Sequence, residues 1–263
     1  MASRTALTIL ALILLIAARE GRAEAYPSTY EPLPSEPLLI TNATVLTGTG
    51  ERIDGGSLLL QDGRIAAVGE NLEAPEGVAT LDAEGRWVTP GLIDIHSHLG
   101  VYPSPGVKAH SDGNEATAPV TAEVWAEHSV WPQDPGFSRA LAGGVTALQT
   151  LPGSANLIGG RGVTLKNVPA VSYQAMKFPG APHGLKMACG ENPKRVYGGK
   201  GQSPSTRMGN VAGYRAQWIE AQRYLDEWTA WEEKQNSKKN DRNGDSLPPK
   251  RDLKLETLAG VLQ

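Results

Sequence analysis

The sequence predicts an α/β domain preceded by a small antiparallel β unit, and three observations carry that expectation. Asp62-Gly63 stands between two apolar runs, which is a strong short-range sign of a hairpin. Beyond Pro90-Gly91 short apolar runs alternate with helical stretches, the pattern of parallel strands joined by helices. Tyr214, Trp218, Ala221, Leu225 and Trp228 recur every three or four residues, one stripe along a long helix.

Taken in order, the chain opens with Arg4 and an apolar run from Ala6 to Ala18, followed by Ala23-Glu24-Ala25. The run is too short to span a bilayer of ~30 Å, and the small residues at 23 and 25 suit a signal peptidase, so residues 1–25 read as a secretory signal cut before Tyr26. A secreted or periplasmic location is expected, with no membrane attachment after cleavage. Residues 26–37 hold four prolines and read as an extended leader. Strands are expected at 38–46, 57–61, 64–68, 79–82 and 86–88, making 38–88 an antiparallel unit whose edges need a partner. Further strands are expected at 92–98, 145–151 and 185–191, a short helix at 135–142, and a long one at 211–234. Residues 232–254 form a charged, proline-containing loop, and 253–263 begin another helix. No internal repeat is present.

Composition excludes several classes. The chain of 263 residues is 40% hydrophobic and 20% charged, an ordinary globular profile. Twenty-five basic side chains against 28 acidic ones leave no electrostatic footprint for nucleic acid. A single cysteine, Cys189, forms no internal disulfide, and without an evident base beside it reads as a buried thiol. The glycines at 153, 159, 160 and 162 lack a following Gly-Lys-Ser/Thr, so a phosphate cradle is not indicated and they read as a turn. Arg161 within that stretch could meet an anionic substrate. His110 and Asp112 could line a pocket, although a polar loop pair is more often structural.

The chemistry concentrates in Val88-Thr89-Pro90-Gly91-Leu92-Ile93-Asp94-Ile95-His96-Ser97-His98-Leu99-Gly100. Residues two apart on a strand face the same way, so Asp94, His96 and His98 project together. Two imidazoles so spaced can bind one divalent ion, with a carboxylate nearby to orient a ligand or take a proton.

This stretch, with the ITNATVLTGTG and LLLQDGRIAAVG strands before it and HSDGNEATAPVTAEVW, AGGVTALQTLPGSANLIGGRG and GLKMACGENPKRVYG after it, resembles the amidohydrolase superfamily of metal-dependent hydrolases. The similarity runs from about Leu38 to the end and points to the subset labelled imidazolonepropionase-like. It implies a (β/α)8 TIM-like barrel preceded by a small β-sandwich unit, with the site at the carboxyl ends of the strands. It further implies that His96 and His98 are metal ligands, with a third ligand from Glu191 or from a carboxylated Lys186; Glu191 is favoured because its carboxylate binds a divalent ion unmodified.

Zinc is the expected metal, with manganese or iron as alternatives, and no other cofactor. The partner is a small-molecule substrate, and the reaction is hydrolysis of a carbon-nitrogen bond by metal-activated water. The five histidines stand at 96, 98, 110, 128 and 183, so later histidine ligands and the usual aspartate shuttle have no counterpart, and no catalytic residue is assigned. A barrel takes ~250 residues, so 89–263 are expected to form an incomplete one with exposed apolar edges. The alternative is a catalytically inactive metal-binding or scaffolding remnant. A two-lobed solute-binding protein is disfavoured, because nothing in the chain is duplicated.

Overall fold

A computed structural model describes residues 25–237 and 247–263. The expected signal at 1–25 lies, except for Ala25, outside the described residues, as does the middle of the charged loop.

The first unit is one five-stranded sheet. β1 (Leu38–Leu46) lies between β2 (Arg52–Gln61) on one edge and β4 (Ala79–Asp82) with β5 (Trp87–Val88) on the other, and β3 (Arg64–Glu70) pairs with β2. The β2–β3 hairpin turns at Asp62-Gly63, with Gln61 opposite Arg64. Both turn residues take positive φ, 54° and 68°, the geometry whose twist matches that of the flanking strands. The unit is mixed, contrary to the antiparallel expectation: β4 and β5 run parallel to β1. Because β2 occupies one edge of β1, the chain crosses back after β3 and reaches the open edge in the same direction as β1. Ala43, Val45, Leu58 and Ala83 form its buried core.

The second unit contains β6 (Leu92–Ser97), β7 (Val145–Thr150) and β9 (Val163–Lys166) in the order β6-β7-β9, and the pair β8 (Ile158–Arg161) with β10 (Leu185–Met187). β6 and β7 are parallel and are joined through α1 (Pro135–Ala142), whereas β9 is antiparallel to β7 and β10 to β8. The strands are therefore not all parallel, contrary to the expectation. α1 begins at Asp134, whose carboxylate accepts from the Gly136 amide, with Pro135 behind it; a fixed φ and a side-chain cap are what a helix start favours. Val101, Phe137, Leu148, Val163, Leu165 and Met176 pack around β7.

Two helices follow, α2 (Glu191–Gly198) and α3 (Arg207–Ser237), and then α4 (Leu253–Leu262). The predicted stripe lies on the packed side of α3, where Ala221 and Leu258 of α4 meet Leu157 and Ile158. Asp252 caps α4 by accepting from the Leu255 amide at 3.0 Å.

Gly159 and Gly160 are buried within β8 and do not form a turn. A β-carbon on Gly160, whose φ is +111°, would stand 2.3 Å from the Val124 carbonyl oxygen. Lacking one, the strand lies against the 120–125 segment closely enough for the Arg161 amide to bond that oxygen at 2.8 Å, the kind of close approach glycine permits.

Candidate active site

β6 carries Asp94 and His96, and His98 follows its last residue. Their rings stand edge to face, with centroids 5.3 Å apart. The Asp94 carboxylate accepts from the His96 backbone amide at 3.0 Å, which steadies the end of the strand. His98 Nδ1 lies 2.8 Å from the Leu151 carbonyl oxygen. A carbonyl only accepts, so Nδ1 carries a proton; in the neutral ring this tautomer leaves the Nε2 lone pair available, the form in which imidazole binds a metal.

Lys186, 90 residues further on, brings Nζ to 3.1 Å from His96 Nε2. It sits on β10 opposite Gly160. Burial pushes its ammonium below the ordinary lysine value, because a low-dielectric site disfavours the charge. The amine is thus more readily neutral and nucleophilic than a solvated lysine.

Glu191 is not brought to the histidines. β10 ends at Met187 and the chain turns out through Cys189 and Gly190, whose carbonyls are both held at 3.0 Å by Asn210 Nδ2. Glu191 then opens α2 as an exposed residue, where its carboxylate complements the helix dipole. Among the described residues no group of three His, Cys, Asp or Glu side chains is gathered closely enough to hold a metal ion. Cys189 is exposed rather than buried.

Asp112 lines an open cavity of about 550 Å³ with Asn114, Trp125, His128 and Tyr26, whereas His110 packs its ring 4.8 Å from that of Trp131. Arg161 turns its guanidinium onto the Trp125 ring at 4.7 Å, and burial pushes its pKa down. A separate buried cluster had no sequence signal: Glu127, 0% exposed, pairs through Oε2 with Lys177 Nζ at 2.7 Å and His183 Nε2 at 3.1 Å.

No protein-family model matches the chain. It is 36% identical, over 73% of its length and 23% of the relative's, to amidohydrolase tasK of Hapsidospora irregularis. It is 32% identical, over 45% of its length and 22% of the relative's, to a dihydroorotase of Anaeromyxobacter dehalogenans. A solved amidohydrolase from Thermotoga maritima shares 40% identity with a TM-score of 0.72, over 86% of this chain and 55% of that one. The chain thus spans about a quarter of the length of those curated relatives and about half of the solved structure. Forty per cent identity carried by a common fold along most of its length makes the chain a member of the amidohydrolase superfamily.

Proposed function

We propose that the chain forms part of a secreted or periplasmic metal-dependent hydrolase that cleaves carbon-nitrogen bonds in amides or cyclic amides. The observation that carries the reading is the approach of Lys186 Nζ to within 3.1 Å of His96 Nε2, beside a His98 held through Nδ1 by the Leu151 carbonyl.

The donor set suits a divalent ion once Lys186 is modified. A desolvated neutral amine adds carbon dioxide with loss of one proton, forming an N–C bond and a carbamate whose two oxygens supply the anionic donor that no glutamate provides here. His96, His98 and carboxylated Lys186 would then hold the metal, with Lys186 replacing Glu191 as third ligand. Imidazole and carboxylate oxygen suit zinc, and also manganese or iron. A bound divalent ion lowers the pKa of water from ~15.7 toward ~7 and polarises a carbonyl. The chain's own contribution is to fix the His98 tautomer through the Leu151 carbonyl and to keep Lys186 partly desolvated.

The strand arrangement supports placing the site at one end of a (β/α)8 barrel. β6 runs parallel to β7 with α1 between them, and Ile93 and Ile95 on β6, which share one face, are 68% and 76% exposed, so that face is uncovered.

Elemental analysis of the purified chain tests the reading. Bound metal should be lost in the His96→Ala/His98→Ala double variant and in Lys186→Ala, and kept in Glu191→Ala; stoichiometric metal in the double variant overturns it. A second reading is an inactive metal-binding or scaffolding chain, since among the described residues no three His, Cys, Asp or Glu side chains are gathered closely enough to hold a metal ion. Hydrolysis of N-acyl amino acids, dipeptides or cyclic amides with added zinc or manganese separates the two.

A further inference from the structure

Tyr102 lies four residues past His98, its ring 5.8 Å from the His98 ring and edge-on to it. Its side chain is partly open to solvent, and its hydroxyl is 2.8 Å from Asn114 Oδ1. The direction of that hydrogen bond is dictated from further inside. Asn156, 1% exposed, places one end of its amide 2.6 Å from the Glu115 carbonyl and 2.8 Å from the Ala118 carbonyl. Carbonyls only accept, so that end is the NH2 group and the other is Oδ1. Oδ1 of Asn156 faces the Asn114 amide at 3.3 Å, which must therefore present its own NH2 there and its Oδ1 to Tyr102. An amide oxygen accepts only, so the phenol proton is committed to Asn114, and the oxygen of Tyr102 retains only lone pairs for anything that comes to it.

The surroundings are built to allow this arrangement. A β-carbon on Gly153 would stand 2.2 Å from Asn114 Oδ1 and 2.8 Å from the Tyr102 hydroxyl, and one on Gly113 would stand 2.2 Å from the Tyr102 ring. Both glycines leave the space that the tyrosine and asparagine occupy.

We infer that Tyr102 is a specificity-determining residue that accepts a hydrogen bond from the substrate, so that the site selects compounds presenting an N–H donor next to the carbonyl that is attacked. Secondary amides, lactams and imides belong to this class, and their N-alkylated counterparts do not. An acceptor oxygen on the ligand would meet the Tyr102 lone pairs without a proton between them, an unpaired contact that an N–H donor avoids.

The inference rests on the metal-site reading above, and the experiment separates the two. The full chain and its Tyr102→Phe and Asn114→Leu variants are supplied with zinc, and the metal content of each is measured first, since that quantity reports on His96, His98 and Lys186 alone. Succinimide with N-methylsuccinimide, and 2-pyrrolidone with N-methyl-2-pyrrolidone, are then titrated by calorimetry. The parent chain should prefer the N–H member of each pair by about tenfold, the worth of one net hydrogen bond. Tyr102→Phe should abolish the preference without changing metal content. Asn114→Leu, which frees the phenol proton to donate, should also weaken it while leaving the ring in place. Equal binding of both members by the parent, binding of neither, or a preference that survives Tyr102→Phe overturns the assignment.

Discussion

Lys177 Nζ donates to Glu127 Oε2 at 2.7 Å and to the Tyr26 carbonyl at 2.5 Å, joining the first described residues to the interior of the second unit. Glu127 is fully buried and Lys177 is 6% exposed, so the pair stands away from water. Breaking such a pair from one side leaves an uncompensated charge, costing about 3–5 kcal/mol. Glu127→Ala should lose that much in chemical denaturation, and Lys177→Met a similar amount. A double Glu127→Leu/Lys177→Met variant should recover most of the loss.

The same carboxylate sets an acid limit. Burial raises its pKa, but the hydrogen bonds from His183 and Lys177 and their charges outweigh this and hold it below its ordinary value of 4.5. A depressed folded pKa means that the unfolded chain binds the proton more readily. The stabilisation is therefore complete above about pH 4.5 and is lost as pH falls through the lower folded value. Thermal melts from pH 7 to pH 3 should show a steeper acid decline for the parent chain than for Glu127→Gln.

Asp134 anchors the loop that leaves the candidate site. Its carboxylate accepts from the amides of Gly100 at 2.9 Å, Ser104 at 3.1 Å and Gly136 at 2.8 Å. Removing a helix cap together with one buried and one partly buried amide partner should cost about 2–4 kcal/mol. Asp134→Asn, which keeps one acceptor oxygen, should cost less than Asp134→Ala in the same denaturation measurement.

Gly160→Ala should destabilise the chain by about 2 kcal/mol or more, since the new methyl meets backbone at a φ of +111° that side chains rarely adopt. A lowered melting temperature with unchanged far-ultraviolet dichroism is the expected result.

Exposure should decide two apolar substitutions in opposite ways. Leu148 is fully buried and Ile95 is 76% exposed. Leu148→Ala should cost about 2–5 kcal/mol, whereas Ile95→Lys should change stability by no more than about 0.5 kcal/mol and reduce self-association in sedimentation.

Local signals were legible where neighbouring residues decide the structure. Asp62-Gly63 specifies its turn by tolerating positive φ at both positions, Pro135 to Ala142 is bounded by a cap and a glycine, and the α3 stripe states which face is packed. His96 and His98 were legible as a pair because both stand at the end of one strand. What was not legible depends on distant chain. The parallel placement of β4 follows from which edge of β1 is open, and the strand nature of Gly159-Gly160 from the proximity of Val124. Lys186 reaches His96 only because β10 pairs with β8, while the outward turn at Gly190 removes Glu191. Glu127, Lys177 and His183 come from three separate segments, and nothing in the spacing of three common charged residues marks them as one buried cluster.

The leader's attachments have a mechanical consequence. Besides the Tyr26 carbonyl, Ser28 Oγ donates to the Lys177 carbonyl at 2.7 Å, and the Thr29 amide donates to the Gln174 carbonyl at 3.0 Å. The first β unit is thereby moored on both sides, through residues 26–29 before it and through Pro90-Gly91 after it. A sheet hung from a single linker can swing like a hinged plate; one tied at both ends resists rotation, and cutting the proline-rich stretch 31–37 would release one of its two ties.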